Sequence, residues 1–395
     1  MLLLHTSDWH LGRSLHGFSL GEEQSSAVDF VVGLAIERGV DAFVLSGDVF
    51  DRAVPPVESL RLLNSALERL SAAGIPAIVI AGNHDSGDRL ATYAGLLRQG
   101  VHLVGGTDGI GVGVELHDAS GAVIVYAIPY LDPDSARHTL AAGADPLERS
   151  HEAVVGAALD AISADLERRG HPRAVAIGHA FVVAATGAEP VDASVTSSSE
   201  RDLTVGGVQV VPAGVFAGRG LSYVALGHLH RPQQVGIADP VMAYSGSLLR
   251  YSLSESEHVK SVALVDIAPS DGRVTIERVP MRAGRGMARL RDTLERLTGE
   301  DYREHRDDFV ELVVTDDAYP ERMHARLDAV FPYALVKLHR PASGGSVPTG
   351  DRGDARGREP VEVMADFLRK VTGREPTPAE SEVLRRTYEA VRAVS

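Results

Sequence analysis

Short runs of apolar residues alternate with longer segments of helical periodicity over residues 1–280. The apolar runs are typical of buried strands, and they cover Leu2–His5, Ala42–Ser46, Ala77–Ala81, Val123–Ile128, Ala174–Ile177 and Tyr223–Leu226. Between them, Glu58–Ala73 and Leu147–Arg169 carry apolar residues near helical spacing. Val259–Val279 predicts two strands joined by a turn at Ser270-Asp271-Gly272. Strands that alternate with helices in this way predict a layered α/β architecture.

A smaller unit is predicted over residues 281–341. Its pattern predicts a helix at Gly286–Thr298, a strand at Phe309–Val314, a helix at Pro320–Val330 and a strand at Ala334–Leu338, which suits a small α+β domain. The composition then changes at residues 342–357, where glycine, serine and proline predict a flexible linker.

Two amphipathic helices are predicted within residues 358–395. The first carries on one face Val361, Met364, Phe367, Leu368 and Val371, and the second carries Val383, Leu384, Thr387, Tyr388 and Val391. The second helix begins at Thr377-Pro378-Ala379-Glu380, which has the form of a capping box with proline at the first helical position. Two short helices behind a linker bury little apolar surface by themselves. We therefore expect them to dock on another surface, with core elements of the second domain as the alternative.

Composition narrows the chemistry that such a chain can perform. The sequence has no cysteine, which excludes thiolate metal sites, thiol catalysis and disulfides. The net charge of −15 argues against a protein that coats itself with nucleic acid, although bound cations and local basic clusters would offset it. The chain shows no secretory signal and no apolar run long enough to cross a membrane, so we expect a cytoplasmic protein.

Five short polar motifs follow predicted strands. They are Asp8-Trp9-His10, Gly47-Asp48-Val49-Phe50-Asp51, Gly82-Asn83-His84-Asp85, Gly178-His179 and Gly227-His228-Leu229-His230. The carboxyl ends of parallel strands are where open α/β sheets build their sites, so these motifs are expected to meet at one rim. Glycine before four of them allows sharp turns and close approach to a ligand.

The motif side chains are of the kind that holds a pair of hard divalent cations. The predicted ligands are Asp8, His10, Asp48, Asn83, His179, His228 and His230. Two cations a few ångströms apart can clamp a phosphodiester, lower the pKa of a water nucleophile and stabilise the leaving oxygen. With nitrogen and oxygen donors only, the expected ions are Mn²⁺, Mg²⁺, Fe²⁺ or Zn²⁺. His84 is expected to face the substrate as a general acid or charge stabiliser.

In order and in spacing, these motifs resemble those of the calcineurin-like metallophosphoesterase superfamily. The resemblance implies a four-layer α/β/β/α domain over residues 1–280, with His84 as the catalytic histidine. It also implies a first metal site of Asp8, His10, Asp48 and His230 and a second site of Asp48, Asn83, His179 and His228, with Asp48 bridging the two.

Other stretches resemble the nuclease subunits of the SbcCD type within that superfamily: Ser7–Gly12, Gly47–Asp51, Ser199–Gly207 and Tyr244–Ser247. This resemblance implies a Mn²⁺-dependent 3′→5′ exonuclease and endonuclease that acts on DNA in repair and recombination. It further implies a homodimer within a heterotetramer, a cap domain over residues 281–341 that binds DNA, and helices in 358–395 that dock on the coiled coil of an SMC-like ATPase, SbcC. The arginines of residues 282–296 suit a DNA contact, but residues 281–310 carry as many acidic residues as arginines.

Some candidate residues keep two interpretations. Arg13 and His16 are candidates for a contact with substrate phosphate, with a solvated loop as the alternative. Asp51 is a catalytic candidate that would orient a ligand, touch the phosphate or cap its loop. Asp85 is expected to fix the loop after His84. We expect packing for Trp9 and no catalytic role for the histidines outside the motifs, which include His5, His102, His151 and His258.

Two other functions compete with a DNA nuclease. The first is a cyclic-nucleotide or other small-molecule phosphodiesterase, or a phosphoprotein phosphatase, on the same site; the acidic net charge favours it, whereas residues 281–395 exceed what such an enzyme needs. In addition, protein phosphatases usually carry Glu where this chain has Asp85. The second is a scaffold with a vestigial metal site, against which the complete set of ligands argues.

Overall fold

The structure is a computed structural model that describes residues 1–97, 100–184, 210–236, 239–269, 272–342, 359–372 and 374–394. The Ser199–Gly207 motif and the predicted linker after residue 342 lie outside the described residues. So do Ser270 and Asp271 of the predicted turn.

The strands follow the chain in this order: β1 (Leu2–Thr6), β2 (Ser14–Leu15), β3 (Phe18–Ser19), β4 (Ala42–Ser46), β5 (Ala77–Ile80), β6 (Val101–Val104), β7 (Val114–Asp118), β8 (Gly121–Ile128), β9 (Arg173–His179), β10 (Phe181–Val183), β11 (Val210–Pro212), β12 (Tyr223–Gly227), β13 (Gln233–Val235), β14 (Val241–Tyr244), β15 (Ser261–Ile267), β16 (Val274–Pro280), β17 (Met287–Asp292), β18 (Phe309–Val314) and β19 (Ala334–His339). The helices are α1 (Gly21–Arg38), α2 (Val57–Ala72), α3 (Gly87–Ala91), α4 (Pro133–Thr139), α5 (His151–Arg169), α6 (Leu294–Thr298), α7 (Met323–Val330), α8 (Pro360–Thr372) and α9 (Pro378–Val394).

Two six-stranded sheets form the centre of the larger unit. The first has the order β16-β15-β1-β4-β5-β6, with β1, β4, β5 and β6 parallel and β15 antiparallel to β1. The second has the order β13-β14-β12-β9-β8-β7, with parallel β14, β12, β9 and β8 flanked by antiparallel edge strands. The β15–β16 pair is the predicted hairpin after residue 259.

Alternation along the strands builds four layers. In β4, Ala42 and Val44 join the apolar cluster between the two sheets, whereas Phe43 and Leu45 pack toward α1 and α2. The second sheet presents its other face to α5. Because successive side chains of a strand point to opposite faces, a strand covered on both faces is apolar throughout. The predicted four-layer α/β/β/α arrangement is confirmed.

Helix boundaries follow local capping. Helix α5 begins at His151 rather than at the predicted Leu147, because the Ser150 side chain accepts a hydrogen bond from the Ala153 backbone N–H at 3.2 Å and caps the helix there. Its end is Gly170, whose left-handed conformation (φ 77°) suits glycine. In α9, Glu380 N–H donates to Thr377 Oγ1 and Thr377 N–H donates to Glu380, the reciprocal pair that the sequence predicts.

The smaller unit has a parallel sheet of order β17-β18-β19, with α6 and α7 packed against it around a separate apolar cluster. The predicted helix at Gly286–Thr298 is wrong over its first half, where β17 pairs with β18 and only Leu294–Thr298 is helical. One arginine of the run is held within the chain: Arg285 pairs with Glu23 of α1 at 3.0 Å and stacks on Tyr333.

Helices α8 and α9 pack against each other. Phe367 on α8 is 68% exposed and Val383 on α9 is 62% exposed. Among the described residues, no helix combines the length and the apolar content needed to cross a membrane.

Candidate metal centre

The carboxyl ends of parallel strands from both sheets meet at one rim. Asp8 and His10 follow β1, and Asp48 follows β4; the Asp8 N–H donates to Gly47 O and the His10 N–H to Asp48 O, both at 3.0 Å. From the other strands come Asn83 after β5, His179 at the end of β9, and His228 and His230 after β12. The structure therefore brings all seven predicted ligands together.

Donor atoms of Asp8, His10 and His230 form a first cluster, in which they lie within 4.8 Å of one another. The Nε2 atoms of His10 and His230 are 3.1 Å apart, and His10 Nε2 is 3.5 Å from Asp48 Oδ2. Two imidazole nitrogens on one ion at the usual metal–nitrogen distance of about 2.0–2.1 Å are separated by about 3 Å in tetrahedral or octahedral geometry. The spacing of this cluster fits a single cation.

A second cluster centres on Asn83. Its Oδ1 lies 3.0 Å from both His179 Nε2 and His228 Nδ1. Asp48 Oδ1 is 3.6 Å from His179 Nε2, while the other oxygen of the same carboxylate faces His10. One buried carboxylate thus presents one oxygen to each cluster.

Backbone strain concentrates at the ligands. Non-glycine residues with positive φ include Asp8 (52°), His10 (44°), Asp48 (48°) and His228 (111°). Such conformations cost of order 1–3 kcal/mol each and persist where the surroundings over-determine them, most often at functional sites. Four strained residues in one rim are typical of a functional site.

Close packing at the rim requires glycine at two positions. A Cβ on Gly82 would lie 2.1 Å from Asp48 Oδ1, and a Cβ on Gly227 would lie 1.8 Å from Ser46 O. The loops can therefore approach the shared carboxylate and the strand ends only without a side chain there.

Hydrogen bonds with surrounding residues orient the predicted ligands. His179 Nδ1 lies 2.8 Å from Ser46 O, which can only accept, so Nδ1 carries the proton and Nε2 presents its lone pair to Asn83 and Asp48. Ser7 Oγ donates to Asp8 Oδ2 at 2.5 Å, and the His228 N–H donates to Asp8 Oδ1 at 3.0 Å. Such contacts fix ring and carboxylate orientation around metal ions.

Glu255 and Lys260 also belong to this shell, although no sequence motif pointed to them. Glu255 Oε1 is 3.1 Å from His230 Nδ1, and Lys260 Nζ is 2.6 Å from Glu255 Oε2. Both side chains are buried. Burial alone would raise the pKa of Glu255, but the nearby Lys260 and His230 hold that pKa well below its usual range. Glu255 lies in a turn 25 residues after His230, and no short motif encodes such a contact.

Protonation favours cation binding at this rim. Burial lowers the pKa of His228 to about 3 and takes that of His10 well below its ordinary value, so both imidazoles are neutral near pH 7. Burial raises the pKa of Asp8 to about 6. For Asp48 burial acts in the same direction, but the imidazoles of His179 and His84 outweigh it and lower its pKa. Neutral imidazoles and buried carboxylates are the ligand forms that divalent cations need.

His84 stands at the edge of the first cluster. Its backbone N–H donates to Asp48 Oδ1 at 2.9 Å, and its Nδ1 is 3.0 Å from the main-chain oxygen of Asp51. A ring nitrogen of His84 also lies within 4.8 Å of donor atoms of His10 and Asp48. Because Asp51 O can only accept, Nδ1 carries the proton and Nε2 is the nitrogen with the lone pair.

The neighbouring candidates take distinct positions. The Asp51 carboxylate accepts from Arg13 Nη1 at 3.1 Å, and the Arg13 guanidinium lies 5.1 Å from the centre of the Tyr251 ring. Asp85 accepts from the backbone N–H groups of Val49, Phe50 and Gly82, so it ties two ligand loops together. His16 lies in the exposed turn between β2 and β3.

Two residues that the sequence left outside the site are structural. Trp9 is buried, and its Nε1 donates to Thr6 Oγ1 at 2.9 Å. His5 lies between the sheets, 2.8 Å from Tyr223 Oη and 3.2 Å from Leu226 O.

Comparison with known proteins identifies the family of this chain. Residues 1–232 match the family model of calcineurin-like phosphoesterases, and residues 278–372 match the model described as the type 5 capsule protein repressor C-terminal domain. The SbcD subunit of the SbcCD nuclease from Bacillus subtilis (strain 168) is 34% identical over 293 residues, which are 73% of this chain and 72% of that protein. The chain belongs to the SbcD family of calcineurin-like phosphoesterases. Membership in this family implies divalent metal ions, and the two donor clusters of the chain fit such ions.

Solved structures resemble this SbcD-family chain only distantly. A crystal structure of a protein from Thermus thermophilus has 14% sequence identity and a TM-score of 0.39, and the match covers 70% of this chain and 98% of that one. A dimetal phosphatase from Danio rerio has 13% identity and a TM-score of 0.40, and the match covers 72% of this chain and 99% of that one. Likenesses this low carry no argument about function.

Proposed function

We propose that the chain is a Mn²⁺-dependent DNA nuclease that hydrolyses phosphodiester bonds with two metal ions, as 3′→5′ exonuclease and endonuclease. The observation that carries the proposal is the Asp48 carboxylate, which turns one oxygen to each donor cluster and also accepts the His84 N–H. The Bacillus subtilis relative is named as part of a nuclease, which supports a nucleic acid as the substrate.

Seven side chains would hold the metal ions. Asp8, His10, Asp48 and His230 would form the first site, and Asp48, Asn83, His179 and His228 the second. When bound, two divalent cations supply Lewis-acid polarisation of the phosphate and acidify a water nucleophile toward neutral pH. Mn²⁺ suits this set of nitrogen and oxygen donors, and Mg²⁺ or Fe²⁺ are the alternatives.

The side chain of His84 would act on the substrate. With Nδ1–H held by Asp51 O, Nε2 can take up a proton and stabilise the charge that develops on the phosphate, or pass that proton to the leaving oxygen. Asp51 would act as a positioning residue, since its main-chain oxygen holds His84 and its carboxylate holds Arg13. Arg13 and His16 would contact backbone phosphates of the strand.

The remaining parts of the chain would bind DNA and a partner protein. We assign residues 1–280 to the nuclease domain, 281–341 to a cap domain that contacts DNA and 342–357 to a linker. The helices of residues 358–395 would dock on the coiled coil of an SMC-like ATPase of the SbcC type, within a heterotetramer that contains two copies of this chain. The exposed Phe367 and Val383 support an apolar docking surface on these helices.

The test is hydrolysis by the purified chain with added Mn²⁺, with and without the ATPase partner, on linear duplex DNA and on bis-p-nitrophenyl phosphate. We expect DNA cleavage that is lost in Asp48→Asn and after chelation. Cleavage of the small ester with no cleavage of DNA, even with the partner, would contradict the proposal.

Cleavage of the small ester alone would favour a small-molecule phosphodiesterase on the same site. The net charge of −15 is the observation in favour of this alternative, because a DNA-binding surface needs basic residues. Failure to cleave either substrate would favour a scaffold with a vestigial site.

A further inference from the structure

A buried ion pair lies directly beneath the His230 imidazole. Glu255 is 0% exposed and the Lys260 side chain is 4% exposed, and their charged atoms are 2.6 Å apart. Burial of two charges is costly unless both are fully hydrogen-bonded. A pair of this kind at this depth calls for a reason other than stability.

The polar atoms of the pair are directed toward the site or its loop. Lys260 Nζ donates to Glu255 Oε2, to the main-chain oxygen of His230 at 2.9 Å and to Ser247 Oγ at 2.8 Å. Glu255 Oε2 also accepts from the Tyr251 N–H at 3.3 Å, and Oε1 faces His230 Nδ1 at 3.1 Å. The ion pair thus contacts His230 at both its main-chain oxygen and its ring.

The contact decides which ring nitrogen of His230 carries a proton. Lys260 keeps Glu255 as an acceptor, so Nδ1 of His230 is the donor and Nε2 keeps its lone pair. That Nε2 points into the first cluster, 3.1 Å from His10 Nε2. On the second cluster a main-chain oxygen, Ser46 O, does the same for His179. His10 is held less tightly, since its buried Nδ1 makes no hydrogen bond with the described residues and the Asp51 carboxylate lies 3.8 Å from it.

We propose that Glu255 and Lys260 are positioning residues that hold His230 in the tautomer and orientation required by the first metal site. A carboxylate behind a ligating imidazole fixes its tautomer and raises its basicity, and loss of such partners costs typically 10–100-fold in metal affinity. The inference deepens the proposed function and rests on it. It adds two residues to the site without assigning either to direct contact with metal or substrate.

Glu255→Gln makes a sharp test because Lys260 stays in place. The Gln amide oxygen will turn toward the ammonium of Lys260, which leaves the amide NH₂ facing His230 Nδ1. That arrangement forces the proton of His230 onto Nε2, where it blocks ligation. In the double variant Glu255→Gln/Lys260→Met the ammonium is gone and only the longer contact from the Tyr251 N–H (3.3 Å) remains on that side, so the amide oxygen can again turn to accept from Nδ1–H.

The measurement is calorimetric titration of the metal-free full-length chain with MnCl₂, at a temperature well below each variant's Tm. In the wild type we expect two bound ions, and Asp8→Asn identifies the phase that belongs to the first site. Glu255→Gln should weaken that phase by about 10–100-fold and leave the second within about twofold. The double variant should bind more tightly at the first site than Glu255→Gln alone, a recovery that a purely structural role does not produce.

The matched control is Asp118→Asn. Asp118 is a nearly buried carboxylate paired with Arg173 at 2.8 Å, and Arg173 begins β9 about 20 Å from its ligand end at the usual strand rise. This variant should lose stability without loss of Mn²⁺ affinity. If Glu255→Gln lowers only Tm, or weakens both sites equally, the inference is wrong. A wild-type chain that binds no pair of ions would instead refute the proposed function.

Discussion

The backbone N–H of His84 donates to the carboxylate of Asp48 at 2.9 Å. The same Asp48 carboxylate faces both donor clusters, so the proposed catalytic histidine is tied through its own backbone to the proposed bridging ligand. Any shift of Asp48 therefore shifts His84 as well. The position of the histidine relative to the metals is set by the metal site itself and not by a separate element.

Substitution of His84 by Gln should reduce DNA cleavage by about 100-fold or more, the usual contribution of a positioned acid or base. The binding of two Mn²⁺ ions should be retained, because the backbone N–H to Asp48 does not depend on the side chain. Cleavage rates and calorimetric titration check the two halves of this expectation. His138→Gln, at an exposed position, is the control. A loss of Mn²⁺ affinity in His84→Gln would instead make His84 a ligand, which its proximity to His10 and Asp48 allows.

The two aspartates of the first site should differ in their effect on metal binding. Asp48→Asn should weaken both ions, because each oxygen of this carboxylate faces one cluster. Asp8→Asn should weaken the first ion and spare most of the second. Metal content after gel filtration in limiting Mn²⁺ measures the difference. Loss of only one ion in Asp48→Asn would show that Asp48 is not the shared ligand.

The sequence predicted that the five motifs meet at one rim because the information for this meeting is local. Each motif sits where an apolar run ends, and parallel strands bring their carboxyl ends to one edge regardless of what lies between them. Thus Asp8 and His228, 220 residues apart, meet in a hydrogen bond at 3.0 Å. The apolar runs likewise predicted the four layers, because a strand covered on both faces is apolar throughout.

What the sequence missed depends on tertiary packing. Met287, Leu290, Leu294 and Leu297 recur at helical spacing and are all buried, yet Met287–Asp292 is a strand because it pairs with β18. A short apolar pattern cannot distinguish the two structures when a neighbouring strand supplies the hydrogen bonds. Glu255 and Lys260 could not be identified from the sequence for a related reason. They are an ordinary charged pair in the sequence, and only folding brings them next to His230.

Gly82→Ala should disrupt metal binding through a steric effect alone. The added Cβ would lie 2.1 Å from Asp48 Oδ1 and 2.2 Å from the Asp48 backbone nitrogen, so the shared carboxylate must move. Mn²⁺ affinity should fall at both sites, as measured by calorimetry. Gly33→Ala in α1 is the matched control, because its Cβ meets no atom within 4 Å and alanine favours helix. Unchanged affinity in Gly82→Ala would mean that the loop yields without moving Asp48.

The exposed apolar residues of the last two helices should govern partner binding and not catalysis. Phe367→Asp and Val383→Asp place a charge on residues that are 68% and 62% exposed, so the fold should tolerate them. Both should abolish co-elution with the SMC-like ATPase while cleavage of bis-p-nitrophenyl phosphate stays unchanged. Val112→Asp, at a residue of similar exposure (66%) in the catalytic unit, should do neither. Full partner binding by both helix variants would move the docking surface elsewhere.

His5 should make the chain sensitive to mild acid. Its Nε2–H donates to Leu226 O and its Nδ1 accepts from Tyr223 Oη, a pattern that only the neutral ring allows. Burial, and then the charge of Arg278, lower its pKa from 6.5 to about 3. The unfolded chain therefore binds more protons than the folded chain between these values. The stabilising effect is complete above pH 6.5 and is lost progressively as pH falls toward 3.

His5→Gln isolates this effect, because the Gln amide can keep both hydrogen bonds but does not titrate. Between pH 7.5 and pH 5 the wild type should lose about 2 kcal/mol more unfolding free energy than the variant, at about 1.36 kcal/mol per pKa unit. Urea denaturation at the two pH values gives the difference, from which all other titrating groups cancel. Parallel losses in the two proteins would mean that the folded protein accepts a proton on His5, and the sheets would then have to open around Tyr223 to admit it.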